Sequence, residues 1–376
     1  MTDGVSREIE VKTGRLAEML ERESLHGVLL NGRHNFAWVT GGADNGVDRS
    51  RENGAASVLV TRDSRRFLLA NNIEMPRIAA EEVRPEMFEP VEFGWQDEKA
   101  SATFLTEAAA KIAGGSIATD IPLNPDTRAI EPSIARCRYA LVPEEIARYK
   151  VLGKDAANAF DRVAERLRPR MTELAIAAVI RSEMAAWLIE PVVTLVAVDE
   201  RISRFRHPFP TRKGLGETVL LVTCAKRDGL IASLSRIVTM GPPSAELLEK
   251  TEAAAFVHAN LLAATAPGTT GAELYSVARS AYARAGFAGE IENHHQGGAA
   301  GYRTRDWVAH PACGEAVQQN QAFAWNPSVT GTKVEDTVIV AGDGVEPITP
   351  TEKFPSIFHR IDGKQYRSFG VLSVSD

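Results

Sequence analysis

Cysteine is nearly absent from this chain, with three in 376 residues, at positions 137, 224 and 313. An odd and scattered set gives neither a disulfide framework nor the close spacing of a cysteine metal site, so reduced thiols are expected. Long apolar runs are missing as well, and no window approaches the ~18 consecutive apolar residues of a membrane span. The opening stretch MTDGVSREIEVKTGRLAEML has no apolar core segment, so neither a secretory signal nor a transit peptide is expected and a cytoplasmic location is. There is no run of basic residues, and the net charge is −6, so a nucleic-acid partner is not expected.

What remains is the composition of an ordinary globular protein, 44% hydrophobic and 24% charged. The length suits two domains on the usual scale of roughly 100–200 residues each. Residues 1–142 read as an α/β domain. An amphipathic segment carrying Leu16, Met19 and Leu20 ends near His26, and the buried-strand run GVLLN follows it. A Gly-, Asp- and Asn-rich loop covers 41–53, and two strands flank a polar turn at 62–65. Helices are predicted at 76–82 and 99–113, with strands near Val91 and at GSIATD.

A second domain, 143–376, opens where Pro143, Glu144 and Glu145 announce a long helix, proline and acids being favoured in a first turn. A further helix is predicted at 172–188, with Thr172 as its cap. Then come the strand PVVTLVAV, a polar loop containing RFRHPFP, and a hairpin about the turn at 226–229. Helices at 244–264 and 271–285 lead into the densest polar stretch of the chain. It runs ENHHQGGAAGYRTRDWVAHP (292–311) and continues as NQAFAWNPSVTGTKVEDT (320–337), with His294, His295, His310, Asn326, Lys333 and Glu335 set among glycines. Such a density of donors and acceptors marks a small-molecule site.

The order of these features resembles the pita-bread fold of creatinase, Xaa-Pro dipeptidase, aminopeptidase P and methionine aminopeptidase: long helix, helix, strand, His-Pro, hairpin ending in Ser-Arg, two helices, His-x-x-Gly, His-Pro, Asn-Pro, Gly-x-Lys-x-Glu-Asp. The resemblance covers nearly the whole chain. It implies a creatinase-like α/β N-terminal domain followed by an α+β pita-bread catalytic domain. It also implies a homodimer in which the N-terminal domain of one subunit lies near the site of the other.

Metal-dependent members of that superfamily bind two divalent ions through two Asp, one His and two Glu. The positions that match are Val222, Ser233, His295, Asn326 and Glu335, so only a histidine and one acid remain. Oxygen-rich sites hold hard divalent cations with charge-neutralising carboxylates, and this set lacks them. The expectation at this point is therefore no metal, no cofactor and a metal-independent, creatinase-like hydrolase or lyase acting on a C–N bond of a small amino-acid-like or amide substrate. The alternatives are a metal-dependent Xaa-Pro peptidase with an altered site, and a non-catalytic small-molecule-binding homologue.

The expected catalytic residues are His207, which the resemblance implies to be a general acid/base, with His295 and Glu335. Ser235 and Asn326 stand where creatinase places carboxylates that grip a guanidinium, so creatine itself is not the expected substrate. Expected substrate-binding residues are His310, Asn326, Lys333, Arg236, Ser235, Arg206 and Tyr302, with Arg303 and Arg305 close by; guanidinium groups suit a carboxylate ligand. Adjacent strand residues face opposite sides, so only His295 of the His294–His295 pair is expected to enter the site. Cys224, in an apolar strand, is expected to be inert.

Overall fold

The computed structural model of the chain describes residues 4–374, which divide into two compact units at the 145/146 boundary, inside the helix Pro143–Arg166. In the first unit, five strands form one sheet: β1 (Gly27–Gly32), β2 (Asn53–Thr61), β3 (Arg66–Asn71), β4 (Glu89–Phe93) and β5 (Ile117–Thr119), in the order β4-β3-β2-β1-β5. β1 and β2 are antiparallel, as are β2 and β3, while β4 and β5 add in parallel at the edges. Leu29, Leu59, Phe67, Leu69 and Ala109 make its apolar cluster, which is why GVLLN reads as a continuous buried run. The helix predicted at 99–113 is interrupted, with Trp95–Ala100 and Phe104–Ala113 separated by Ser101 to Thr103, whose hydroxyls bond locally instead of continuing the helix.

The second unit carries the polar stretch. Its first sheet runs β18-β8-β7-β6, from β6 (Glu190–Val198), β7 (Thr218–Arg227), β8 (Leu230–Met240) and β18 (Val371–Val374). β7 and β8 form the predicted hairpin. Asp228 and Gly229 both take positive φ (50° and 79°), the two-residue turn whose twist matches that of its strands.

A second sheet runs β10-β9-β11-β14-β15, from β9 (Gly297–Ala300), β10 (Trp307–Val308), β11 (Ala322–Trp325), β14 (Asp336–Ala341) and β15 (Gly344–Pro347). Two small hairpins complete the unit: β12 (Ser328–Val329) with β13 (Thr332–Lys333), and β16 (Ser356–Ile361) with β17 (Lys364–Phe369). The two larger sheets are joined where Ser235 N–H donates to the Glu335 carbonyl at 3.2 Å and Ser233 N–H to Thr337 Oγ1 at 2.7 Å.

Helices cover this frame with the caps their sequences specify. Thr172 Oγ1 accepts from Ala175 N–H at 3.1 Å to start Glu173–Ala185, and Ser244 Oγ from Leu247 N–H at 3.2 Å to start Ala245–Ala264. Thr270 and Glu273 close a reciprocal capping box on Gly271–Arg284. No helix among the described residues is long and apolar enough to cross a membrane.

Candidate functional site

Three histidines converge in the second unit. His207 lies in the loop after the short helix Glu200–Arg204, tethered where Val196 N–H donates to the Pro208 carbonyl at 3.3 Å. His294 and His295 follow the turn Ala288–Glu292 and precede β9. His294 Nε2 stands 3.2 Å from His207 Nε2. The His294 and His295 rings stack at 4.4 Å, and the His207 ring lies 5.0 Å from the first and 6.2 Å from the second.

One nitrogen of each ring falls within 4.8 Å of the other two, the one group of three or more metal-ligating side chains found among the described residues. This corrects the expectation that His294 faces away. Strand alternation does not reach it, because residues 293–296 are irregular and β9 starts only at Gly297. Gly297 is needed there: its φ is +105°, and a Cβ would sit 2.1 Å from the Ala324 carbonyl oxygen.

Beside the histidines stands a buried charge group. Glu335 accepts from Ser235 Oγ at 2.5 Å and from Arg305 Nη2 at 3.1 Å, and its Oε2 lies 3.0 Å from Lys333 Nζ. Burial pushes the Glu335 carboxyl up, but Lys333, Arg305 and the Ser235 hydroxyl outweigh it and hold it down at about 2. Glu335 is therefore ionised, with both oxygens engaged. Burial, then the charge of Lys333, lowers His207 and also His294, the latter to about 3. Burial, then Arg305 and Lys333, takes His295 to about 4. At neutral pH the rings His294 and His295 are uncharged, each with a lone pair to offer.

The other expected residues divide sharply. Asn326 is buried, its N–H donating to the Gln296 carbonyl at 2.9 Å and its Oδ1 left without a hydrogen-bond partner. Arg206 is spent on Glu290 and Thr330, each at 2.7 Å. Tyr302 is buried with its hydroxyl accepting from Arg148 at 2.8 Å. His310 is exposed, its Nδ1 accepting from Ala312 N–H at 3.2 Å, and it stands outside the histidine group.

Arg236 departs furthest from expectation. It is 2% exposed, and its guanidinium donates to Thr351 Oγ1, the carbonyls of Ser235, Glu335 and Thr349, and Asp336 Oδ1, at 2.8–3.1 Å. All five N–H groups are consumed, so Arg236 ties the two sheets together and has nothing left for a substrate.

The positions matched to carboxylate ligands are equally committed. Val222 packs in the apolar cluster with Leu195, Leu220 and Ile237. Ser233 Oγ donates to Cys224 Sγ at 3.3 Å on the paired strand. Burial, then Glu335, raises the Cys224 thiol, which favours its protonated form.

Residues 147–342 match the profile of metallopeptidase family M24. Over 238 residues the chain is 28% identical to a Xaa-Pro dipeptidase of Lactobacillus helveticus, a match covering 60% of this chain and 64% of that protein's length. In fold it is similar to an X-Pro aminopeptidase from Thermotoga maritima (TM-score 0.75, 19% identity, 96% of this chain and 99% of that one). It is similar also to the prolidase from Pyrococcus horikoshii (TM-score 0.73, 19% identity, 91% and 98%). These two carry the pita-bread architecture expected from the sequence. The matched family is one of metallopeptidases and the curated relative is a Xaa-Pro dipeptidase, which overturns the expectation of a metal-independent, creatinase-like hydrolase.

Proposed function

Because the chain belongs to metallopeptidase family M24, we propose that it is a metal-dependent hydrolase of the peptide C–N bond in small Xaa-Pro-type substrates, working through an altered site. The observation that carries this reading is the convergence of His207, His294 and His295 near the Lys333–Glu335–Arg305 group, all inside the matched segment. A bound divalent ion supplies a Lewis acid for the scissile carbonyl and lowers the pKa of water.

The donors at Val222, Ser233, Asn326 and Glu335 do not fit a carboxylate-bridged pair of ions. The first is a hydrocarbon, the second is hydrogen-bonded within its hairpin, the third is a neutral amide, and the fourth is neutralised by two cations. The three imidazoles, two of them exposed, offer nitrogen donors that fit a nitrogen-bound ion.

The chain's own residues do the rest. Lys333 and Arg305 give this wall a positive potential, suited to a dipeptide carboxylate and to the oxygen on which negative charge develops. Glu335, held by Ser235, fixes both cations in place. His207 and His295 are both exposed, so the histidine group is reachable from solvent.

The test is elemental analysis of protein purified without chelators, coupled to hydrolysis of a panel of Xaa-Pro dipeptides before and after metal stripping. Chelator-sensitive cleavage is expected. Full activity in stripped protein, or no cleavage of any member of the panel by metal-loaded protein, overturns the reading. A cytoplasmic homodimer belongs to the same proposal. Three buried free thiols suit the compartment, and a monomer in light scattering would remove the dimer.

A further inference from the structure

We propose that His207, His294 and His295 together form a three-imidazole site for a single borderline divalent cation of the zinc class, with a fourth position open to solvent. The inference deepens the peptidase reading and rests on it for the ion's catalytic use, although binding of the ion stands on geometry alone.

The spacing comes first. Ligand nitrogens around a tetrahedral zinc sit about 2.0–2.1 Å from the metal, which places them roughly 3.3 Å from one another. His207 Nε2 and His294 Nε2 are 3.2 Å apart, close to that separation before any ion draws them in. The His295 nitrogen falls within 4.8 Å of both, so a modest rotation of an exposed ring completes the set.

The hydrogen-bond account points the same way. Two imidazole Nε2 atoms facing each other satisfy only one donor and one acceptor. The His295 ring makes no hydrogen bond to any described residue, and His294 Nδ1 is buried without a partner. The facing Nε2 atoms of His207 and His294, with a nitrogen of His295 within 4.8 Å of both, offer lone pairs that a single cation could take up together.

The charges then select the ion. Glu335 is engaged by Lys333 and Arg305 at 3.0 and 3.1 Å, so the neighbourhood carries one net positive charge. A hard cation held by electrostatics, such as Mg²⁺, Ca²⁺ or Mn²⁺, finds no free carboxylate here. An ion that binds through nitrogen lone pairs, such as Zn²⁺, Co²⁺ or Ni²⁺, needs none. Because His207 and His295 are exposed, the site is open on one side, as catalytic zinc sites are and structural ones are not.

The experiment titrates stripped full-length protein with Zn²⁺ and with Mn²⁺ by calorimetry, and with Co²⁺ by visible absorption, which reports coordination independently of turnover. One Zn²⁺ per chain is expected, held at least about tenfold more tightly than Mn²⁺, with a Co²⁺ spectrum of tetrahedral nitrogen ligation. His294→Ala and His295→Ala should each weaken Zn²⁺ at least about tenfold. His26→Gln, which alters an exposed histidine of the first unit, should not.

His294→Gln is measured alongside, with thermal melts of every variant, so that a folding defect is not read as lost binding. Wild-type Zn²⁺ affinity in a folded His294→Ala or His294→Gln protein overturns the site, as does tighter binding of Mn²⁺ than of Zn²⁺. Stoichiometric Zn²⁺ binding without cleavage of any Xaa-Pro dipeptide overturns the peptidase reading and leaves the site standing. Metal-dependent cleavage that is indifferent to His294 does the reverse.

Discussion

Replacing Arg236 with methionine should destabilise the second unit while leaving substrate affinity nearly unchanged. The guanidinium lies between the two large sheets, 2% exposed, with its five N–H groups donated to three carbonyls, a threonine hydroxyl and Asp336. Its flat face also lies 4.2 Å from the centre of the Phe369 ring. Methionine keeps the apolar stem and removes every donor. Asp336, 2% exposed, then loses its cationic partner, and removing one member of a buried ion pair costs about 3–5 kcal/mol. Burial already pushes the Asp336 carboxyl up against the pull of Arg236, so it takes up a proton once Arg236 is gone, which holds the cost near the lower end.

For a unit spanning residues 146–376, each kcal/mol moves the melting temperature by about 2–4 °C, so a cost near ~3 kcal/mol gives a fall of about 6–12 °C. Differential scanning calorimetry measures it, and KM is taken well below the new transition. Combining Arg236→Met with Asp336→Asn should cost less than the sum of the single changes, because the pair is then removed whole. A variant that melts within about 2 °C of the parent and shows a tenfold higher KM would refute this account and restore Arg236 to substrate binding.

Two further outcomes follow from the same contacts. Lys333→Met should tighten Zn²⁺ at the histidine group at least about tenfold, measured by calorimetry, since the Lys333 charge acts on all three rings and a unit charge even about 10 Å from a divalent ion exceeds ~1.4 kcal/mol at an effective dielectric constant near 20; unchanged or weaker binding would contradict the placement of the ion near Lys333. In the first unit, burial pushes Glu131 up, but His34 and Arg138 outweigh it and hold the carboxyl down at about 2. A depressed carboxyl contributes stability above its unfolded pKa of about 4.3, and that stability is lost as pH falls toward 2. Glu131→Gln should therefore lower stability at neutral pH and flatten the acid limb of the profile. Asp120 beside it, raised by burial, works in the opposite direction and remains in the variant.

The architecture was legible because its signals are local. A polar two-residue turn between apolar runs, capping threonines and serines, and a Pro-Glu-Glu helix start each specify an element with no knowledge of the rest, and the structure has all of them. The site was legible only in part, because side-chain commitments there are made across 84 to 124 positions of sequence. Nothing in the sequence near Arg236 shows that Thr349, Thr351 and Asp336 will consume its donors, or that Glu290 and Thr330 will occupy Arg206.

His294 was missed for a different reason. The pair precedes its strand, so strand alternation does not govern it and both rings turn the same way. That one ring changes the metal argument. Counting carboxylates at Val222, Ser233, Asn326 and Glu335 is sound chemistry, and the structure makes the count more severe by spending Glu335 on two cations. Too few carboxylates exclude a metal only if donors come from those positions alone. Membership in a metallopeptidase family removes the conclusion and keeps the count, so the ion proposed above takes its ligands from elsewhere. The nearest converging lone pairs are the nitrogens of His207, His294 and His295, two of them 3.2 Å apart.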